Sequence, residues 1–176
     1  MKKLLTLFFL IFSITFAIPD FEELKWGFTI DAIKGFYPNL EQKFSPGEGV
    51  TKYEYYPKNS NIGKISFYLF ENKLYKIISE FDPTKVKPKD VGNIADKYIK
   101  NWGNPTSDTI EEEYSDFTIK GNKQTWITRN TYISLIGQDY INKDNQIYDS
   151  KLLMEYGLID PAKRKNNSSL NDLILN

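Results

Sequence analysis

Seven short runs of aromatic and β-branched residues, each closed off by turn residues, constrain this chain more than any other feature. They are TKYEYY (51–56), KISFYLF (64–70), LYKIISEF (74–81), TIEEEY (109–114), DFTIK (116–120), QTWIT (124–128) and TYISLIG (131–137). Such side chains suit a pleated, half-buried surface, so each run reads as a strand. Glu71-Asn72-Lys73, Gly121-Asn122 and Arg129-Asn130 read as the turns between them. Connections this short join antiparallel neighbours, because a parallel crossover needs a dozen or more residues. NQIYDSKLLMEY is a last extended piece, and LEQKFSPGEGV (40–50) reads as a loop by its Pro and Gly content.

Two segments have helical character instead. Thr29 is a good N-cap for IDAIKGFYP, with Phe28 and Ile33 placed as a hydrophobic staple and Pro38 as the stop. Asp90 caps VGNIADKYIKNW, where Val91, Ile94, Ala95, Tyr98, Ile99 and Trp102 fall on one face. Gly103 and Pro105 end that helix. The order is helix, three strands, helix, four or five strands. The fold class this implies is α+β, with short helices packed on an antiparallel sheet. It allows two tandem helix-plus-strands units, over 18–82 and 83–160, joined at the Pro-rich, charged DPTKVKPKD.

The ends read differently. Met1-Lys2-Lys3 precedes an apolar run, LLTLFFLIFSITF, and Thr15 and Ala17 are small residues at the −3 and −1 positions of a cut. That layout is a signal peptide over residues 1–17, cleaved after Ala17, which implies an exported (periplasmic or secreted) bacterial protein. The run is shorter than the ~18 residues that span a bilayer, and no second run approaches that length. Cleavage leaves 21 basic against 23 acidic residues. The tail PAKRKNNSSLNDLILN (161–176) is polar and reads as poorly ordered.

The chain holds no Cys and no His. That excludes disulfides, thiol nucleophiles, thiolate or imidazole metal sites and the Ser-His-Asp triad. A formal net charge of zero with only Arg129 and Arg164 as arginines argues against nucleic-acid partners. Glycine-rich phosphate loops are absent. The acid run Glu111-Glu112-Glu113 reads as a charged edge strand rather than a cation site, because alternate residues face opposite sides. No catalytic, cofactor-binding or metal residue is assigned.

W-G-x-T-x-x-x-I (Trp26, Gly27, Thr29, Ile33), followed by Tyr37-Pro38, and the second helix ending in W-G-x-P (Trp102, Gly103, Pro105) form a recurring pattern. In this the chain resembles small exported bacterial modules of the β-lactamase-inhibitor-protein and SmpA/OmlA type over residues 24–157 in outline. The resemblance implies one or two helices on an antiparallel sheet, singly or in tandem, and binding of other proteins without chemistry. The assembly lipoproteins of that group carry a lipidated Cys that this chain lacks, and no functional residue carries over.

Register assigns the candidate surface. With a three-residue loop at Glu71-Asn72-Lys73, Phe70 pairs with Leu74. Ile65, Phe67, Leu69, Tyr75, Ile77 and Phe81 then share the face that the helices claim. Tyr68, Phe70, Leu74 and Ile78 fall on the other face, more apolar surface than a monomer usually leaves open. The second unit, a second copy or a partner would cover it. The expectation is an exported, non-catalytic binding module for a protein or cell-envelope partner, with those four residues as its contact. Oligomeric state stays open. Glycan or small-ligand binding through aromatic residues is the alternative, and a carboxylate-based hydrolase a further one.

Overall fold

A computed structural model describes residues 21, 23–86, 88–128 and 130–159. The leader over 1–17 and the tail over 161–176 lie outside the described residues. Helix α1 (Ile30–Phe36) is followed by strands β1 (Glu41–Gly47), β2 (Val50–Tyr55), β3 (Ile62–Phe70) and β4 (Lys73–Phe81). Helix α2 (Pro88–Trp102) is followed by β5 (Thr106–Glu113), β6 (Phe117–Thr128), β7 (Thr131–Asn142) and β8 (Ile147–Leu158). All eight strands form one sheet in the order β1-β2-β3-β4-β8-β7-β6-β5, antiparallel throughout. The architecture is mixed α+β and dominated by strand. Two meanders meet where β4 pairs with β8, Ile77 opposite Tyr156 and Ser79 opposite Met154. Among the described residues no helix is long and apolar enough to cross a membrane.

Both helices lie on one face of this sheet. Phe67, Leu69, Leu74, Ile77 and Met154 are fully buried there, with Ile33 of α1 and Ile94, Ala95 and Tyr98 of α2. Each such side chain contributes roughly 1.5–3 kcal/mol by leaving water. Gly103, at φ +81°, turns the chain out of α2, and its N–H donates to the Ile99 carbonyl at 2.8 Å. The Trp126 indole N–H then reaches the Gly103 carbonyl at 2.9 Å, which ties the helix end to β6. On central strand β4, the Gly27 N–H donates to the Leu74 carbonyl and the Leu74 N–H to the Phe28 carbonyl. Those two bonds clamp the segment before α1 across the start of β4.

Three expectations change. The stretch expected as a loop, 40–50, contains β1: an edge strand tolerates Pro46 and a register shift, since its outer N–H groups need no partner strand. Gly121-Asn122 is not a turn. β6 runs straight through it, and a Cβ on Gly121 would stand 2.1 Å from the Gly137 carbonyl oxygen, so the glycine marks close backbone approach. The β3–β4 hairpin closes over Glu71-Asn72 alone, both at positive φ, with Leu69 opposite Leu74. An irregularity then absorbs Tyr75, so Tyr68 pairs with Lys76. Leu74 is therefore core, on the helix side, and leaves the proposed contact surface.

Candidate functional site

The face opposite the helices is built from strand registers. One row across six strands reads Lys52, Tyr68, Lys76, Gly157, Tyr132, Ile127. The next reads Glu54, Ser66, Ile78, Glu155, Ser134, Thr125. Small residues lie at the bottom of this surface, with Ser66 and Ser134 buried, and long ones lie over them. Tyr68, Phe70, Ile78, Tyr132 and Tyr140 are each half-buried. Among the described residues no helix lies over this face.

Lysines and tyrosines alternate in contact. The Lys76 ammonium is 4.5 Å from the Tyr68 ring centre and the Lys52 ammonium 5.8 Å from the same ring. Lys123 stands 5.7 Å from the Tyr132 ring and Lys151 5.2 Å from the Tyr140 ring. An ammonium over an aromatic face gains about 0.5–2 kcal/mol, the more so where water is excluded. Such pairing also holds flexible lysines in place before any partner arrives.

Carboxylates lie beneath and between. The Tyr132 hydroxyl donates to Glu155 Oε1 at 2.6 Å, and Lys123 stands 3.9 Å from the same oxygen. Lys52 pairs with Glu54 at 2.6 Å, Lys64 with Glu80 at 2.8 Å. Burial pushes the Glu54 carboxyl up, but the bonds from Lys52 and the Tyr56 hydroxyl outweigh that and hold it below its usual value. Burial, with the Glu155 and Glu54 charges and Tyr75 nearby, pushes the Tyr68 phenol up to about 12. Burial and Glu155 raise Tyr132 further in the same direction. Both phenols therefore keep their protons well into the alkaline range, and Tyr132 uses its own on Glu155.

Of the four residues expected at this surface, Tyr68, Phe70 and Ile78 share it and Leu74 does not. Lys76 joins them on β4, and Tyr132, Tyr140 and Glu155 extend the surface across the second meander. Their segment TYISLIG alternates between two apolar sets, Ile133 and Leu135 on one side and Tyr132 and Ile136 on the other. Alternation alone thus chose no outer face. The acid run lies elsewhere, on edge strand β5, with Glu111 bonded to Lys120 at 2.9 Å and Glu112 accepting the Tyr114 hydroxyl. Among the described residues no group of three or more acidic side chains is set to hold a metal ion. Comparison of the chain with protein-family models, with curated proteins and with solved structures finds no match.

Proposed function

We propose that this chain is an exported, non-catalytic binding module, and that a protein or cell-envelope partner docks on the helix-free sheet face. The supporting observation is the row Lys52, Tyr68, Lys76, Tyr132, which presents ordered tyrosines and lysines with no helix over them among the described residues. Tyrosine brings a large, rigid contact area with a hydrogen-bonding tip, and it is enriched where proteins meet. The lysines beside the rings are largely met by carboxylates of the same chain, Lys52 by Glu54, Lys123 by Glu155 and Lys151 by Glu80 and Asp149, so the face favours a partner of mixed charge that can pair with both signs. Export rests on the leader over residues 1–17, and the absence of catalysis on the missing His and Cys.

In this reading the two helix-and-four-strand segments are tandem units whose sheets merge at β4 and β8. The merger widens one binding face instead of burying it between the units. It also agrees in outline with the resemblance to the β-lactamase-inhibitor-protein and SmpA/OmlA type of module.

The test is capture of partners from the native envelope fraction by the wild-type chain and by a Tyr68→Ser/Lys76→Ser variant. Truncating an aromatic anchor in a desolvated centre costs about 2 kcal/mol or more, so the captured protein should be lost while the melt falls far less than it does for Phe67→Ala in the core. Retention of the same partner by the variant would remove this face from the account.

A further inference from the structure

The three longest strands outrun the helix packed on them. β6, β7 and β8 have 12 residues each and α2 has 15. Those counts correspond to about 40 Å of strand and about 22 Å of helix. The C-terminal half of α2 seals its end of the sheet, with Tyr98 against Trp126 and Trp102. Past the other half, the start of α2, the connection from β4 and the helix-side face of β6–β8 enclose a cleft of about 630 Å³.

Its walls are apolar: Phe81, Val86, Val91, Ala95, Leu135 and Leu152. Glycines line it on both elements. A Cβ on Gly92 of α2 or on Gly137 of β7 would find no heavy atom within 4 Å. Gly92 is exposed and Gly137 half-buried, so neither element puts a side chain into the open part of the cleft.

One polar atom has no use within the fold. Gln124 lines the same cleft, but its Oε1 is turned away from it: that oxygen is shut off from solvent and has no hydrogen-bond partner in the protein. A buried acceptor left without a donor costs about 1–3 kcal/mol. At the polar end of the cleft the Ser150 hydroxyl donates to Asp139 Oδ1 at 2.6 Å. An apolar cleft of roughly 300–1,000 Å³ with a few placed polar groups is the common form of a small-molecule site.

We propose that the cleft between α2 and β6–β8 binds a small, mainly apolar molecule, and that the Gln124 amide turns into the cleft so that its Oε1 accepts one N–H or O–H from it. This goes beyond the partner surface, which lies on the opposite side of the sheet, so the two proposals fail independently. N-phenyl-1-naphthylamine is a suitable probe: two apolar ring systems, one N–H, and fluorescence that rises in apolar surroundings. Titrated into the full chain, it should show one saturable site. Gly137→Val, which places a branched side chain in the cleft, should weaken that site by about tenfold or more with the melting temperature unchanged or higher. Gln124→Leu should weaken the probe by about tenfold but leave its N-methyl analogue unaffected. No saturable binding, or binding undiminished by Gly137→Val, overturns the proposal. An equal effect of Gln124→Leu on probe and N-methyl analogue also overturns it. If Gly137→Val does not fold, Gly92→Leu on the outer helix decides in the same way.

Discussion

The Tyr132 side chain of β7 lies across Gly157 of β8. A Cβ built on Gly157 would stand 2.6 Å from the Tyr132 hydroxyl and 2.7 Å from its ring. The glycine is what lets the phenol lie down and reach Glu155 Oε1 at 2.6 Å. Gly157→Ala should therefore lift Tyr132 off the sheet and break that bond. Overpacking of this kind costs about 1–3 kcal/mol, part of which the better strand propensity of alanine offsets. The expected result is a melt lowered by several degrees. In the double variant Gly157→Ala/Tyr132→Ala the loss should be smaller than the sum of the two single ones, since removing the ring makes room for the methyl. Strict additivity would mean that the two residues do not touch.

Alkali should destabilise the fold before it ionises this face. Tyr68 keeps its proton to about pH 12 in the folded chain, against 10.0 as its ordinary value, and Tyr132 shifts in the same direction. Between those limits the unfolded chain releases a proton that the folded chain retains, so stability falls as pH rises. The contribution is fully present below about pH 10 and is lost as pH climbs through the folded value. Phenolate absorbance should show two tyrosines titrating late, together with unfolding. Tyr68→Phe should flatten part of the alkaline limb of a stability–pH curve. A Tyr68 that titrates near pH 10 in the folded chain would contradict its burial here.

Local chemistry was legible where it acts locally. Pro38 follows the end of α1, and Gly103 and Pro105 close α2, because chain reversal depends on neighbours along the chain; the expected caps fare differently, since Thr29 precedes α1 without a side-chain cap bond and α2 begins at Pro88, which puts Asp90 inside its first turn. From Lys76 onward the expected hairpin register also matches the observed one, with Tyr68 opposite Lys76 and Phe67 opposite Ile77. What escaped was a compensation. A two-residue turn with an irregularity at Tyr75 restores the register that a three-residue loop would have produced. Only Leu74 and Tyr75 differ between the two. The pairing of β4 with β8 escaped for another reason: the two strands lie far apart in the chain, and nothing local names the neighbour. That pairing puts Tyr132 and Tyr68 on one row, which no single segment encodes.

The turn itself can be tested. Glu71 sits at φ +48° and Asn72 at φ +58°, the left-handed pair of a type I′ hairpin. A glutamate there bears a steric cost of about 1–2 kcal/mol that Asn, with its short local hydrogen bonds, largely avoids. Glu71→Asn should raise the melting temperature by a few degrees and leave the sheet face intact. A lower melting temperature would show that Glu71 is not in the left-handed region.

Leu74 carries the sharpest test of the register. It is fully buried, pairs with Leu69, and exchanges both backbone bonds with the segment before α1. Leu74→Ala should leave a cavity under α1 and cost about 2–5 kcal/mol. Ile78→Ala, one strand repeat away but half-buried on the helix-free face, should cost distinctly less, because its surroundings open to water. The comparison separates two geometries that the sequence leaves equal. In the looped register Leu74 and Ile78 share one face, with Lys76 between them, and their alanine variants would melt alike. In the turn-and-irregularity register they face opposite sides, and only Leu74→Ala should melt many degrees early. Equal and small losses at both positions would return Leu74 to the open face beside Tyr68 and Phe70 and remove the irregularity at Tyr75.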